Sequence, residues 1–328
     1  MFGSERFIEV GIASVVAALI LAAVVNYYLA RRAERHNPPK GRFVDVDGLS
    51  IHYVDHGSGE AVVLLHGNGS MIQDFECSGL IEAASQKYRV VVFDRPGFGH
   101  TQRPRNTIWS AQKQADLLYR ALVQIGIPRA TVLGHSWGAS VAVALALSHP
   151  RFVGSLVLVS GYYYPTFRAD IPLLSGPAIP VIGDVISYTV APIISRLIWP
   201  LLLRRIFAPA PVPEKFALFP KEMVLRPAQL RASAEETALM IPGAFTLQWR
   251  YRDLTMPVVI IVGEDDRLVE ATQSARLHRG VRQSTFISVA NTGHMVQQTA
   301  TARVLEAIDG AVQLAGYQPE DRERRSSI

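Results

Sequence analysis

The strongest constraint on this chain is the pentapeptide Gly134-His135-Ser136-Trp137-Gly138 and the apolar runs either side of it. Ala130-Thr131-Val132-Leu133 before it is short, apolar and β-branched, the signature of a buried strand. Ala139 to Leu147 after it is almost entirely Ala, Val and Leu, with no breaker until Pro150, which reads as a buried helix. Gly-x-Ser-x-Gly between a strand and a helix is a nucleophile elbow: the turn leaves no room for side chains at its outer positions, and the serine hydroxyl is held out at the strand tip. The pentapeptide alone is a common turn sequence. Its strand–turn–helix setting makes Ser136 a candidate nucleophile.

Composition narrows the setting. With 328 residues, 49% of them hydrophobic, the chain can build a large core carrying an insertion. Its single cysteine, Cys77, excludes an internal disulfide framework and reads as a small packing residue. The net charge of +5 does not point to nucleic acid, because the basic residues gather just after an N-terminal apolar stretch and in the tail Arg322-Glu323-Arg324-Arg325. A membrane surface accounts for the first cluster.

That apolar stretch, Val10 to Ala30, carries no charge over 21 residues. As a helix it would rise about 31 Å, the thickness of a hydrocarbon core. Tyr27 and Tyr28 fall at its far end, where amphipathic rings favour the interface. The run is long, Arg6 stands between Glu5 and Glu9, and no small-x-small site follows, so it reads as an uncleaved anchor rather than a signal peptide. Arg6 alone precedes it, whereas Arg31, Arg32, Arg35, Lys40 and Arg42 follow, which places the C-terminal side in the cytoplasm of a single-pass protein. Residues 1–36 are expected to form the anchor, and Asn37 to Gly41 a short linker. A chain beginning at Gly41 is then expected to fold alone.

Beyond the linker, Arg42–Val46 and Ser50–Val54 alternate around Asp47-Gly48, a hairpin signal. Ala61–Leu65 is a fully apolar strand ending in His66-Gly67-Asn68-Gly69, and Arg89–Phe93 is another, ending in Asp94-Arg95-Pro96-Gly97-Phe98-Gly99. Apolar residues at helical spacing from Ala111 to Ile125 make a sheet-covering helix. Gly154–Ser160 supplies the sixth strand, and Pro257–Val262 and Ser284–Val289 two more.

These motifs, in this order, resemble the α/β-hydrolase superfamily in its serine-nucleophile, lidded, esterase- and lipase-like members. The resemblance runs from Phe43 to about Ala315 and implies an α/β fold with a mostly parallel eight-stranded sheet. It implies that His66-Gly67-Asn68 is the oxyanion loop, with the N–H groups of Asn68 and Trp137 as donors, and that His66 braces that loop. Asp94 would bond backbone N–H groups in the glycine turn. In Gly263-Glu264-Asp265-Asp266 the family's Gly-x-x-Asp spacing selects Asp266 as the acid, with Asp265 adjacent as the alternative. Gly293-His294 after the last strand is where the family keeps its base, and His135 reads as packing. The order Ser136, Asp266, His294 is the Ser…Asp…His order of this fold.

Between the sixth and seventh strands the alternation stops. Nine of the twenty prolines lie between Pro165 and Pro213, and from Ile171 to Leu203 only Asp184 and Arg196 are charged. The resemblance implies a helical lid over 161–252, dividing the core into 37–160 and 253–316. Its apolar bias suggests a hydrophobic substrate pocket, a face resting on the bilayer, or a small core of its own. Tyr162, Tyr163 and Tyr164 lead from the strand tip into it, and Tyr162 and Tyr163 are the candidates to line a substrate pocket. Val296 to Leu314 is expected as one closing helix, and 317–328 as a disordered, solvated tail.

The expected activity is hydrolysis of small, lipophilic esters through an acyl-enzyme, with no cofactor, no metal and no nucleic-acid partner. Serine at the elbow argues against the aspartate-dependent dehalogenases and epoxide hydrolases of the superfamily. Carbon–carbon bond hydrolases and perhydrolases share the motifs, and a ligand-binding or receptor-like protein with slow or no turnover is the reading from another class.

Overall fold

A computed structural model describes residues 2–168 and 170–316, so the tail expected at 317–328 lies outside the described residues. The chain starts with one long helix, α1 (Phe2–His36). The hairpin β1 (Arg42–Val46) and β2 (Leu49–His56) turns at Asp47-Gly48, where both residues have positive φ (54° and 78°) as a tight hairpin turn requires. Then come β3 (Ala61–Leu65), α2 (Ile72–Ser78), α3 (Leu80–Ser85), β4 (Arg89–Phe93), α4 (Ala111–Gln124), β5 (Ala130–His135), α5 (Trp137–Ser148) and β6 (Val153–Val159).

The segment after β6 is helical. It holds α6 (Asp170–Leu174), α7 (Ile182–Tyr188), α8 (Val190–Phe207), α9 (Lys221–Val224) and α10 (Pro227–Leu247), with short 3-10 turns between them. The core resumes with β7 (Val258–Gly263), α11 (Ala271–Gly280), β8 (Ser284–Val289), α12 (Val296–Thr299) and α13 (Thr301–Gly316). The closing helix is therefore broken at Ala300, not continuous from Val296.

The eight strands form one sheet in the order β1-β2-β4-β3-β5-β6-β7-β8. Only β2 runs antiparallel to its neighbours; every pair from β4 to β8 is parallel. Parallel strands covered on both faces should be apolar throughout, and β5, β6 and β7 are buried at every residue. One face packs on α4 and α5, the other on α2, α3, α12 and α13. α5 is apolar all round because it is enclosed all round: every residue from Trp137 to Leu147 is buried.

α1 is not a free tether. Its apolar flank from Val10 to Val25 is largely exposed, but its last three turns pack on the inserted helices. Asn26 is 3% exposed and Ala33 4%. Asn26 Nδ2 donates to the carbonyls of Tyr188 and Thr189, each at 2.9 Å, and Arg226 bonds Glu34 at 2.9 Å. Arg31 to His36 are helical, and the non-helical connection is confined to 37–41.

Candidate active site

The elbow is as tight as its glycines imply. A Cβ on Gly134 would stand 2.3 Å from the Gly138 carbonyl oxygen, and one on Gly138 would stand 2.2 Å from that of Leu65. Ser136 has φ +54° and ψ −117°, a strained conformation for a side-chain-bearing residue, held by its N–H on the Val159 carbonyl at 2.9 Å. The oxyanion-loop candidate lies directly against it, since a Cβ on Gly67 would be 3.1 Å from the Ser136 Cβ.

Trp137 opens α5, so its N–H has no intrahelical acceptor. The Asn68 N–H is likewise free of any hydrogen bond among the described residues. The Asn68 side chain is used elsewhere. Its Nδ2 donates to the Ser233 carbonyl (3.1 Å) and to Thr237 Oγ1 (3.0 Å), fastening the loop to α10.

At the ends of β7 and β8, His294 Nδ1 lies 2.7 Å from Asp266 Oδ2, and both residues are buried. The other Asp266 oxygen accepts from the N–H groups of Leu268 (2.8 Å) and Val269 (2.9 Å). Burial pushes the Asp266 carboxyl upward. The charge and hydrogen bond of His294, with those backbone donors, outweigh burial and hold it below its ordinary 3.8. Asp265 is exposed, so the carboxylate facing His294 is that of Asp266. The His135 and His294 rings are 5.0 Å apart, and His135 Nε2 meets the His294 carbonyl at 3.1 Å, which ties the elbow to the histidine loop. Asp94 accepts from the N–H groups of Ile72 and His100 and meets His52 Nδ1 at 2.7 Å.

Two groups that the sequence pattern did not single out brace this site. Arg95, wholly buried, donates to the carbonyls of His66 (2.8 Å) and Gly67 (2.9 Å) and pairs with Glu236 of α10, also wholly buried. Its position at a strand tip was the one available signal; Glu236 sits in an ordinary charged helical stretch and gave none. The second group is the carbonyl of Ile206, near the end of α8, which accepts from the His294 N–H at 3.1 Å.

The two tyrosine candidates separate. Tyr162 packs between Met240 and Ala244 of α10 and Val269 beside the acid loop, on the side of the site. Tyr163 is 1% exposed in the sheet core, with its ring against Gly161 and Ala139 and its carbonyl accepting from Tyr251 at 2.6 Å. Tyr163, four residues past the end of β6, thus lies in the core beside α5, and Tyr162 is the tyrosine packed next to the acid loop. Among the described residues no three His, Cys, Asp or Glu side chains group as metal ligands.

A strained serine at a strand–helix turn, two unspent N–H groups beside it and a buried Asp–His pair on the following strand ends define the hydrolase class of this sheet topology. The chain belongs to the alpha/beta hydrolase fold family, which it matches over residues 60–301. It is 28% identical over 262 residues to a 2-hydroxy-6-oxononadienedioate/2-hydroxy-6-oxononatrienedioate hydrolase of Paraburkholderia phymatum, spanning 76% of this chain and 86% of that one. Among solved structures it resembles a thermophilic esterase from Thermogutta terrifontis (TM-score 0.67, 21% identity, 84% of this chain and 99% of that one). It also resembles a bacterial membrane phospholipase A (TM-score 0.66, 20% identity), whose match covers 96% of this chain and 100% of that one.

Proposed function

We propose that this protein is a membrane-anchored serine hydrolase that cleaves ester bonds of small, lipophilic substrates through an acyl-enzyme. The observation that carries the reading is the Asp266–His294 pair at 2.7 Å, tied through His135 to the Ser136 elbow. In this reading His294 takes the proton from Ser136 Oγ as it attacks the ester carbonyl. Asp266, fixed by two backbone N–H groups, orients the imidazole and stabilises its cation. The N–H groups of Asn68 and Trp137 hold the oxyanion, a role in which removing one donor costs about 10²–10³ in rate. His294 then protonates the leaving alcohol, and water, activated by the same base, releases the acid.

The helices of 161–252 act as a lid, α10 roofing the oxyanion loop through Asn68 and α8 meeting the histidine loop through Ile206. α1 is the anchor: residues 7–36 have a mean hydropathy of 2.6 in their most apolar window. The arginines that follow it favour a cytoplasmic catalytic domain. Protease added outside intact cells should then leave that domain uncut; its digestion there would reverse the orientation.

The chemistry is tested by turnover of p-nitrophenyl esters of increasing chain length, with Ser136→Ala as control. The reading expects hydrolysis that rises with acyl length and vanishes in the variant. The similarity to a hydrolase of 2-hydroxy-6-oxo dienedioates supports a second reading, carbon–carbon cleavage on the same residues. Turnover of such a dienoate faster than of any ester would favour it, and no turnover of either would favour a binding protein.

A further inference from the structure

The outer side of the α7–α8 pair is apolar and bare. Val181 (76% exposed), Ile182 (60%) and Val185 lie on or beside α7, and Ile193, Leu197 (76%) and Leu201 (69%) recur at four-residue steps along α8. That spacing makes one stripe of a helix, the pattern used to bury a face. The two helices meet at 54°, and together they are as apolar as a membrane span.

Their place relative to α1 is set by a polar clamp. The carbonyls of Tyr188 and Thr189, left open at the break between the helices, both accept from Asn26 Nδ2. Arg196 Nη1 in turn donates to Asn26 Oδ1 at 3.3 Å. Arg31, the first of the exposed arginines ending the apolar run, follows Asn26 by five residues, about 7.5 Å along the helix axis. With those arginines at the headgroups, the break lies below them by the depth, roughly 5–10 Å, at which interfacial helices bury their apolar face. α8 then runs about 24 Å from Val190 to Ile206, whose carbonyl holds the His294 N–H. Its last turn carries exposed Arg204 and Arg205, suited to anionic headgroups.

We propose that α7 and α8 form a second membrane-seated element, immersed in the same leaflet as the C-terminal part of α1 and locked to it by Asn26. The partner is a lipid bilayer with anionic headgroups. The inference rests on the reading of α1 as an anchor. Its consequence is that the lid is docked in lipid on one side and on the histidine loop on the other, so an ester dissolved in the leaflet meets the site without crossing water.

Nitroxide labels at positions 16, 182, 197 and 282, introduced singly as cysteine into full-length protein carrying Cys77→Ser, test this in phosphatidylcholine–phosphatidylglycerol vesicles. Accessibility to oxygen and to a water-soluble nickel chelate reports depth. Labels at 16, 182 and 197 should favour oxygen, and the label at 282, on an exposed position of the core, should favour nickel. Labels at 182 and 197 as open to nickel as 282, with 16 in lipid, would overturn the seating of α7 and α8 and leave the anchor standing. Nickel access at 16 as well would overturn both. Shielding of 197 from both reagents, with spin–spin broadening, would mean that a second copy covers the stripe and would also overturn it. In parallel, Val181→Asp with Leu197→Asp should lower turnover of a vesicle-dissolved long-chain ester about tenfold, in line with the cost of placing charge below the headgroups. Hydrolysis of a short soluble ester should stay unchanged, and equal turnover of the long ester would contradict the proposal.

Discussion

The buried pair of Arg95 and Glu236 allows stability and activity to be separated by design. Both side chains are fully enclosed. Removing Glu236 by substitution with leucine leaves a guanidinium without a counter-charge, which costs about 3–5 kcal/mol. Arg95 would keep its bonds to the His66 and Gly67 carbonyls, so the oxyanion loop should hold and kcat should stay within about tenfold. Arg95→Met also leaves a lone charge, and it strips donors from two buried carbonyls at about 1–3 kcal/mol each. It should therefore destabilise more than Glu236→Leu. A loop displaced by about 1 Å against Ser136 should also cost about 10² in kcat. The double substitution removes both charges, so it should be more stable than Arg95→Met alone while its activity stays low. Urea unfolding followed by tryptophan fluorescence in detergent micelles, with ester hydrolysis on the same samples, measures both quantities. Stability losses that simply add, or full activity in Arg95→Met, would refute the bracing role.

Asp266→Asn should lower kcat by about 10⁴ through loss of the orienting carboxylate, whereas Asp265→Asn, at an exposed position, should change it little; steady-state kinetics of the two variants decides the ranking. His66 and His135 are held neutral, burial pulling each down to about 3, helped by the charge of Arg95 on the first and of His294 on the second. Unfolded, they titrate near 6.5, so the unfolded state binds more protons below that pH. Each should remove up to about 1.4 kcal/mol of stability per pH unit between 6.5 and 3, which chemical unfolding against pH would register as a steady loss on acidification. The depressed Asp266 carboxyl adds a further loss only below its ordinary 3.8. Removal of residues 1–40 should lower the melting temperature, because it uncovers the site of Ala33 and breaks the Glu34–Arg226 and Asn26 bonds; an unchanged melting temperature would mean that α1 adds nothing to the fold.

The sheet was legible because every parallel strand except the edge strand β8 is a short, mostly apolar run ending in a glycine-bearing loop, and a strand buried on both faces admits little else. The site candidates were legible for a related reason. Gly67, Gly134 and Gly138 stand where a Cβ would strike neighbouring atoms, so geometry writes itself into the sequence there. What was not legible depends on contacts between distant segments. Nothing near Glu236 says that it faces Arg95 across 141 positions, and nothing near Asn26 says that it holds a turn more than 160 residues away. In the sequence Asn26 is a polar residue inside an uncharged apolar run, and the run itself gives no sign that α1 docks on the inserted helices. Tyr162, Tyr163 and Tyr164 follow the end of β6 in irregular backbone, where no periodicity in the sequence says which ring joins the main core and which packs beside the acid loop.

The central claim is that Ser136 is the nucleophile. Reaction of the full-length protein with a fluorophosphonate, followed by intact-mass and peptide mass spectrometry, tests it most directly. The account predicts one adduct per chain, on Ser136, absent in Ser136→Ala and strongly slowed in His294→Ala. An adduct retained in Ser136→Ala, or carried by another residue of the native protein, would contradict it.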